Sequence, residues 1–298
     1  IVLVVYAKQS FVYKQVACKC TETPQNRKMN FEQFDISLKK EKTYKLPELV
    51  KVGYFKKEMN IPAMLPFSIS NGILFKVNNE NSKFANLQIE YIILDLLKTI
   101  ETDLINIFLF DIGIKSNFPY ISRLKLPNIN VIVDLEKVTE TLEQIVNTSR
   151  NISTNFLTGS IKTLKEFNES EEIKEPYNII VIPNFPNNFK ETDISLLQSI
   201  IAEASSCGIY SLITLNPSYL PELTRFNQSL IEKIASIEES IITIDVSNDE
   251  AKLKNLQIPV LTKMFNQSFA FDEIEVSKFE TIINEINTNI ESKYSQGV

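Results

Sequence analysis

The chain contains no histidine and no tryptophan among its 298 residues, and only six glycines and three cysteines. Without histidine, Ser-His-Asp and Cys-His triads, imidazole general bases and histidine metal ligands are excluded. Any catalysis has to run on carboxylates, lysine, tyrosine, cysteine or a bound cofactor. Average glycine usage of about 7% would give roughly twenty, so a fold that needs several glycine-built phosphate loops is disfavoured. Cys18, Cys20 and Cys207 form neither a disulfide framework nor a zinc-site spacing, which points to a reducing, cytoplasmic compartment. Cys18 and Cys20 read as structural thiols. The apolar opening Ile1–Val5 is too short to span a bilayer and reads as a strand,. A start without methionine reads as a piece of something longer.

What is present is an ordinary soluble mixture, 44% hydrophobic and 23% charged, with a formal charge of −6. That balance argues against a dedicated electrostatic surface for nucleic acid. Residues 1–60 show no long helical period; alternation over Ser10–Ala17 suggests a strand, and Lys39–Lys45 reads as a charged connection, so 1–60 is expected to be a separate β-rich segment or linker,. Past Pro62 and Pro66 the pattern changes. Apolar runs of strand length occur at 73–77, 105–110, 131–133, 178–182, 209–215 and 241–246. Helical patterns occupy 83–100, 135–155, 192–206, 219–238 and 272–293, the fourth opening at Pro221 and the last with Asp272 as N-cap,. Continuous Ile/Val/Leu runs imply burial on both faces, hence a mainly parallel sheet between helix layers over 61–298. Such sheets bind ligands beyond the carboxyl ends of their strands.

The strand at 73–77, the loop Asn78–Ser82 and the helix from Lys83 make the β-loop-α arrangement on which phosphate-binding loops are built. A working loop reads G-x-x-x-x-G-K-[ST], with glycines to curl backbone N–H groups around phosphate and a hydroxyl for Mg²⁺. With Lys83 on the motif lysine, Val77 and Ser82 fall on the glycines and Phe84 on the hydroxyl, and Glu80 brings negative charge into the loop.

Later segments resemble, in order and spacing from about residue 60 to 265, the motor domain of FtsK/SpoIIIE-like DNA translocases. Leu109–Gly113 looks like that family's "IDPKG" element, and the helix at 135–152 like the one that follows it. Pro176–Phe185 (PYNIIVIPNF) is similar to the Walker B strand "PYIVVLVDEF", and Ala202–Ser218 to "ARAAGIHLVLATQRPS". The resemblance implies a RecA-like, three-layer P-loop NTPase fold. It also implies that Asn81, Ser82 and Lys83 stand at the Walker A position and Pro183 and Asn184 at the Walker B position. There Pro183 replaces the aspartate that holds the Mg²⁺ water shell and Asn184 the glutamate that activates water. Leu215 and Asn216 replace the sensor Gln and Arg. These replacements imply no catalytic residue, no metal and no cofactor in this domain, with ATP and Mg²⁺ handled by neighbouring domains of a larger bacterial protein. Partners are then other domains of that protein or like subunits, with DNA reached through the parent. Two other readings stay open: a nucleotide-binding or active member using unusual residues, and a stand-alone peptide-binding module, possibly secretion-related. The emptied cleft, bounded by 78–82, Asp111, Pro183–Pro186 and Asn216, is expected to be narrowed by the apolar side chains of Phe84, Pro183 and Phe185. The abundance of asparagine reads only as genome composition, and the four Asn-x-Ser matches carry no weight.

Overall fold

Two strands with no exposed apolar residue decide the architecture: in β6 (Tyr177–Phe185) and β7 (Ile209–Leu215) nearly every position is buried, so both faces of the sheet must be covered,. The computed structural model divides the chain into two compact units, Ile1–Lys39 and Lys40–Val298. It describes residues 43–55, 61–203, 205–247, 250–256, 268–271 and 275–295, all in the second unit. The expected strand at 10–17, Cys18, Cys20 and the Asp272 cap lie outside the described residues.

The remaining strands are β1 (Leu49–Phe55), β2 (Ile61–Pro66), β3 (Gly72–Lys76), β4 (Ile105–Phe110), β5 (Ile129–Ile132), β8 (Ile242–Ser247), β9 (Glu250–Asn255) and β10 (Ser268–Phe269). Eight form one sheet in the order β10-β9-β8-β3-β7-β6-β4-β5. The six from β8 to β5 run parallel, and β9 and β10 are added antiparallel at one edge. β1 and β2 make a separate antiparallel pair; the expected boundary at residue 60 falls between them.

The helices are α1 (Ser82–Thr99), α2 (Glu136–Asn155), α3 (Leu164–Ser170), α4 (Glu191–Glu203), α5 (Gln228–Glu239) and α6 (Val276–Ser295). They pack in two groups, α1 with α6 and β1, and α4 with α2 and α5; β7 touches both groups through α1 and α4. α1 is buried nearly all round, at Ala85, Ile89, Ile92, Ile93, Leu94, Leu96 and Leu97, as its double apolar stripe predicts. Helix α5 begins at Gln228 rather than at 219 as its apolar pattern suggests. Asn227 explains the late start. Its Oδ1 accepts from the Thr224 N–H at 2.8 Å and its Nδ2 donates to the Glu222 carbonyl at 2.6 Å, holding 222–227 in a non-helical turn,.

β3 is central, between β7 and β8. Its first residue, Gly72, has φ 129°, and a Cβ there would stand 1.9 Å from the Ser211 carbonyl oxygen of β7. A side chain at this position therefore forces β3 off its neighbour. The five described glycines all have positive φ, at 53, 72, 113, 159 and 208; none lies in the loop after β3.

Candidate functional site

The loop from β3 to α1 is built on asparagine. Asn78 Oδ1 accepts from the N–H groups of Glu80 (3.0 Å) and Asn81 (2.9 Å). The Asn78 carbonyl accepts from the Ser82 N–H at 3.0 Å. Asparagine folds back on its own following amides readily, because its short carboxamide reaches them without strain. Three successive amides, the kind of donors that cradle a phosphate, are thus satisfied by one residue of the same loop. Asn81 is buried, while Lys83 is exposed and its side chain makes no hydrogen bond or ion pair among the described residues. Phe84 lies against Phe271, with ring centroids 5.2 Å apart.

At the end of β6, Pro183 is buried within the strand, and the register with β7 shifts between Ile182 and Phe185. Proline has no N–H for the ladder, so a proline in a central strand needs such a bulge. Asn184 takes the positive φ of 52° that follows, a conformation asparagine tolerates better than most residues. Its N–H leaves the ladder and donates to Thr214 Oγ1 (2.8 Å), which donates in turn to Asn86 Oδ1 of α1 (3.2 Å).

The Asn184 side chain then joins three loops. Its Oδ1 accepts from Ser82 Oγ at 2.6 Å, and its Nδ2 donates to Asn117 Oδ1 at 3.2 Å. Asn117 donates its backbone N–H (2.9 Å) and its Nδ2 (2.8 Å) to Asp111 Oδ1. Ser116 Oγ completes the carboxylate by donating to Asp111 Oδ2 at 2.5 Å. Beyond β7, Asn216 Nδ2 donates to Asn79 Oδ1 at 2.7 Å, and Ser218 Oγ to Asn216 Oδ1 at 2.6 Å.

One more carboxylate stands behind this row. Glu90, on the buried side of α1, accepts through Oε1 from the N–H groups of Tyr120 (2.7 Å) and Ile121 (3.0 Å), while its Oε2 has no partner. Burial pushes its pKa up to about 7, the two backbone donors oppose the shift, and the Asp111 charge adds to it,.

The structure thus brings together Ser82, Asn184, Asp111, Asn79 and Asn216. It does not bring in Lys83. Pro183 is present at the edge only as backbone. The expected apolar narrowing is corrected: Phe185 is buried in the core with its ring 5.5 Å from Phe189, Phe84 packs on Phe271, and polar side chains bridge the cleft instead. The physical reason is that a neutral amide both donates and accepts, so a row of them satisfies loop ends that apolar side chains would leave unpaired. Sequence reasoning missed Asn86, Asn117, Thr214 and Glu90, and it placed Asn78 in the loop without its role. The signal for Asn78 was available in the Asn-Asn-Glu-Asn-Ser spacing, which is that of an Asx turn. Among the described residues no group of three or more Cys, Asp or Glu side chains is placed to hold a metal ion, and no helix is long and apolar enough to cross a membrane.

No protein-family model and no curated protein matches the sequence. Solved structures do match. The chain is similar to EssC (ATPases 2 and 3) from Geobacillus thermodenitrificans, with a TM-score of 0.62 at 13% identity, over 86% of this chain and 51% of that one. It is similar to the cytoplasmic domain of the Thermomonospora curvata type VII secretion ATPase EccC, with a TM-score of 0.61 at 14% identity, over 85% of this chain and 32% of that one. The pCW3 conjugation coupling protein TcpA gives 0.55 at 14%, over 84% and 72%. The fold is that of a P-loop ATPase domain. Within it the loop 77–82 is the β3–α1 connection at the switch point of the sheet, where the chain departs to one side through β4 and later returns to place β8 on the other,. The chain spans about half the length of the first of these neighbours and a third of the second.

Proposed function

We propose that this domain is a non-catalytic, FtsK/SpoIIIE-like part of a larger protein, serving as a structural or partner-docking module beside domains that hydrolyse ATP. The observation that carries the reading is the capture of the Glu80, Asn81 and Ser82 amides by Asn78. A phosphate entering this loop would have to displace the loop's own side chain and carbonyl. The rest of the edge supports the same reading. Pro183, at the position the family uses to hold metal, has no donor or acceptor side chain, and Asn184, at the water-activating position, is spent on Ser82 and Asn117. Phosphoryl transfer depends on positioned metal and a water-orienting group, and neither is supplied.

Of the solved neighbours, EssC carries ATPase domains, EccC is a type VII secretion ATPase and TcpA is a conjugation coupling protein, which supports a parent that moves a protein or DNA cargo. ATP and Mg²⁺ then belong to other domains or subunits of that parent, and these are the partners of this one. Titration of the purified chain with ATP and Mg²⁺ at millimolar concentration is expected to show no saturable heat, no melting shift and no turnover above a blank. Turnover that a Lys83→Ala substitution abolishes, or a dissociation constant below about 10 µM, overturns the reading in favour of a nucleotide-binding domain.

A further inference from the structure

We infer that side chains stitch the loops after β3, β7, β6 and β4 into one arrangement that needs no ligand, so that the carboxyl edge of the sheet has a single, nucleotide-independent state. The inference rests on the non-catalytic reading and adds to it how the edge is kept in shape. The four strands are consecutive neighbours in the sheet, and a side-chain hydrogen bond crosses each gap between their ends. Asn216 to Asn79 joins β7 to β3, the Asn184 N–H to Thr214 joins β6 to β7, and Asn184 to Asn117 joins β6 to β4. Ser82 to Asn184 adds a second tie from the start of α1, and Thr214 to Asn86 a third. The loop after β4 is pinned at both ends, by Asp111 on Ser116 and Asn117, and by Glu90 on Tyr120 and Ile121.

In a domain that responds to nucleotide, the ligand is what draws such loops together, and its loss leaves their polar groups to water. Here each tie is made within the chain. A stitched row also behaves differently from independent loops, because cutting one tie loosens segments it does not touch. Among the described residues no hydrogen bond joins Asn117 to 79–82 or Ser82 to 115–118; the hydrogen-bonded route between them runs through Asn184.

Hydrogen–deuterium exchange on the full chain tests this with Ser82→Ala and Asn117→Ala. Without nucleotide, either substitution is expected to speed exchange about five- to tenfold in all of 79–82, 115–118 and 184–188, while β3, β7 and β6 as far as Ile182 keep their rates,. In the unaltered chain, ATP with Mg²⁺ is expected to change none of these rates. Acceleration confined to the substituted loop, or absent, shows independent loops and overturns the stitch. Slower exchange of 79–82 on adding ATP and Mg²⁺ to the unaltered chain overturns the nucleotide independence. Hydrolysis by the unaltered chain would defeat the non-catalytic reading alone, because the nucleotide-free rates of the two variants are read without it.

Discussion

The interior of the sheet and its carboxyl edge, only a residue or two apart along β3, β6 and β7, are held by opposite means. Inside, Ile179, Ile180, Val181, Leu212 and Ile213 are fully buried and contribute area alone, each worth about 1.5–3 kcal/mol on removal from water. At the edge, Asn79, Asn117, Asn184, Asn216 and Ser82 are held by hydrogen bonds whose net worth is about 1 kcal/mol apiece. The difference explains how a fold can persist while its site changes. Replacing an interior residue removes a large part of a stability of ~5–15 kcal/mol, whereas an edge residue can be exchanged for any group that keeps its neighbours satisfied.

The largest expected effect breaks the interior. Leu94→Asp places an unpaired carboxylate on a fully buried position of α1, at a cost of several kcal/mol, and the folded domain should be lost. A normal thermal transition in that variant would show that α1 is misplaced. Glu90 tests the boundary between the two regions. Its folded pKa of about 7 lies above the ordinary glutamate value of 4.5, so the folded chain binds its proton more tightly. The stabilising effect of that proton is complete below pH 4.5 and is lost as pH rises through 7, a fall of about 3 kcal/mol from this group. Glu90→Gln should remove that slope and raise stability at pH 8 relative to the native chain, measured by denaturant titration at pH 5 and pH 8. An unchanged slope would mean that Glu90 is not the buried group responsible.

At the edge itself, Asn78→Ala should cost only about 1–2 kcal/mol and leave the fold intact, as judged by circular dichroism. Global unfolding of that variant would erase the distinction between edge and interior. The smallest effect is expected for Lys83→Ala, an exposed side chain with no partner among the described residues, which should leave the melting midpoint unchanged within about 0.5 kcal/mol. A larger loss would place Lys83 in the row after all.

The same division governs what could be read from the sequence. The runs at 105–110 and 209–215 give β4 and β7 to the residue, because burial on both faces leaves an unbroken apolar signature in a single stretch. The start of α5 escapes that logic: apolar Tyr219, Leu220, Leu223 and Phe226 fit a helical period, yet Tyr219, Leu223 and Phe226 are exposed and Asn227 holds the turn. The antiparallel additions β9 and β10 are short, and they declare themselves only by pairing, β9 with β8 and β10 with β9. The row of amides was the least legible part. Ser82 and Asn184 are 102 residues apart, and Asn79 and Asn216 are 137 apart, so no local spacing announces them. Their abundance was visible, but as composition rather than as chemistry.

Because the ties of Asn184 and Asn216 run between amides and hydroxyls, they contain no opposed charges for dissolved ions to shield, and the carboxyl group of Asp111 in the same row is enclosed by Ser116 and Asn117. Screening acts on charges facing one another across solvent, over about 10 Å at 0.1 M salt. An edge clasped by a metal and a polyanion would loosen with chelators or brine. An edge held by neutral ties is expected to keep its shape across ionic strengths, presenting the same contour to whatever meets it.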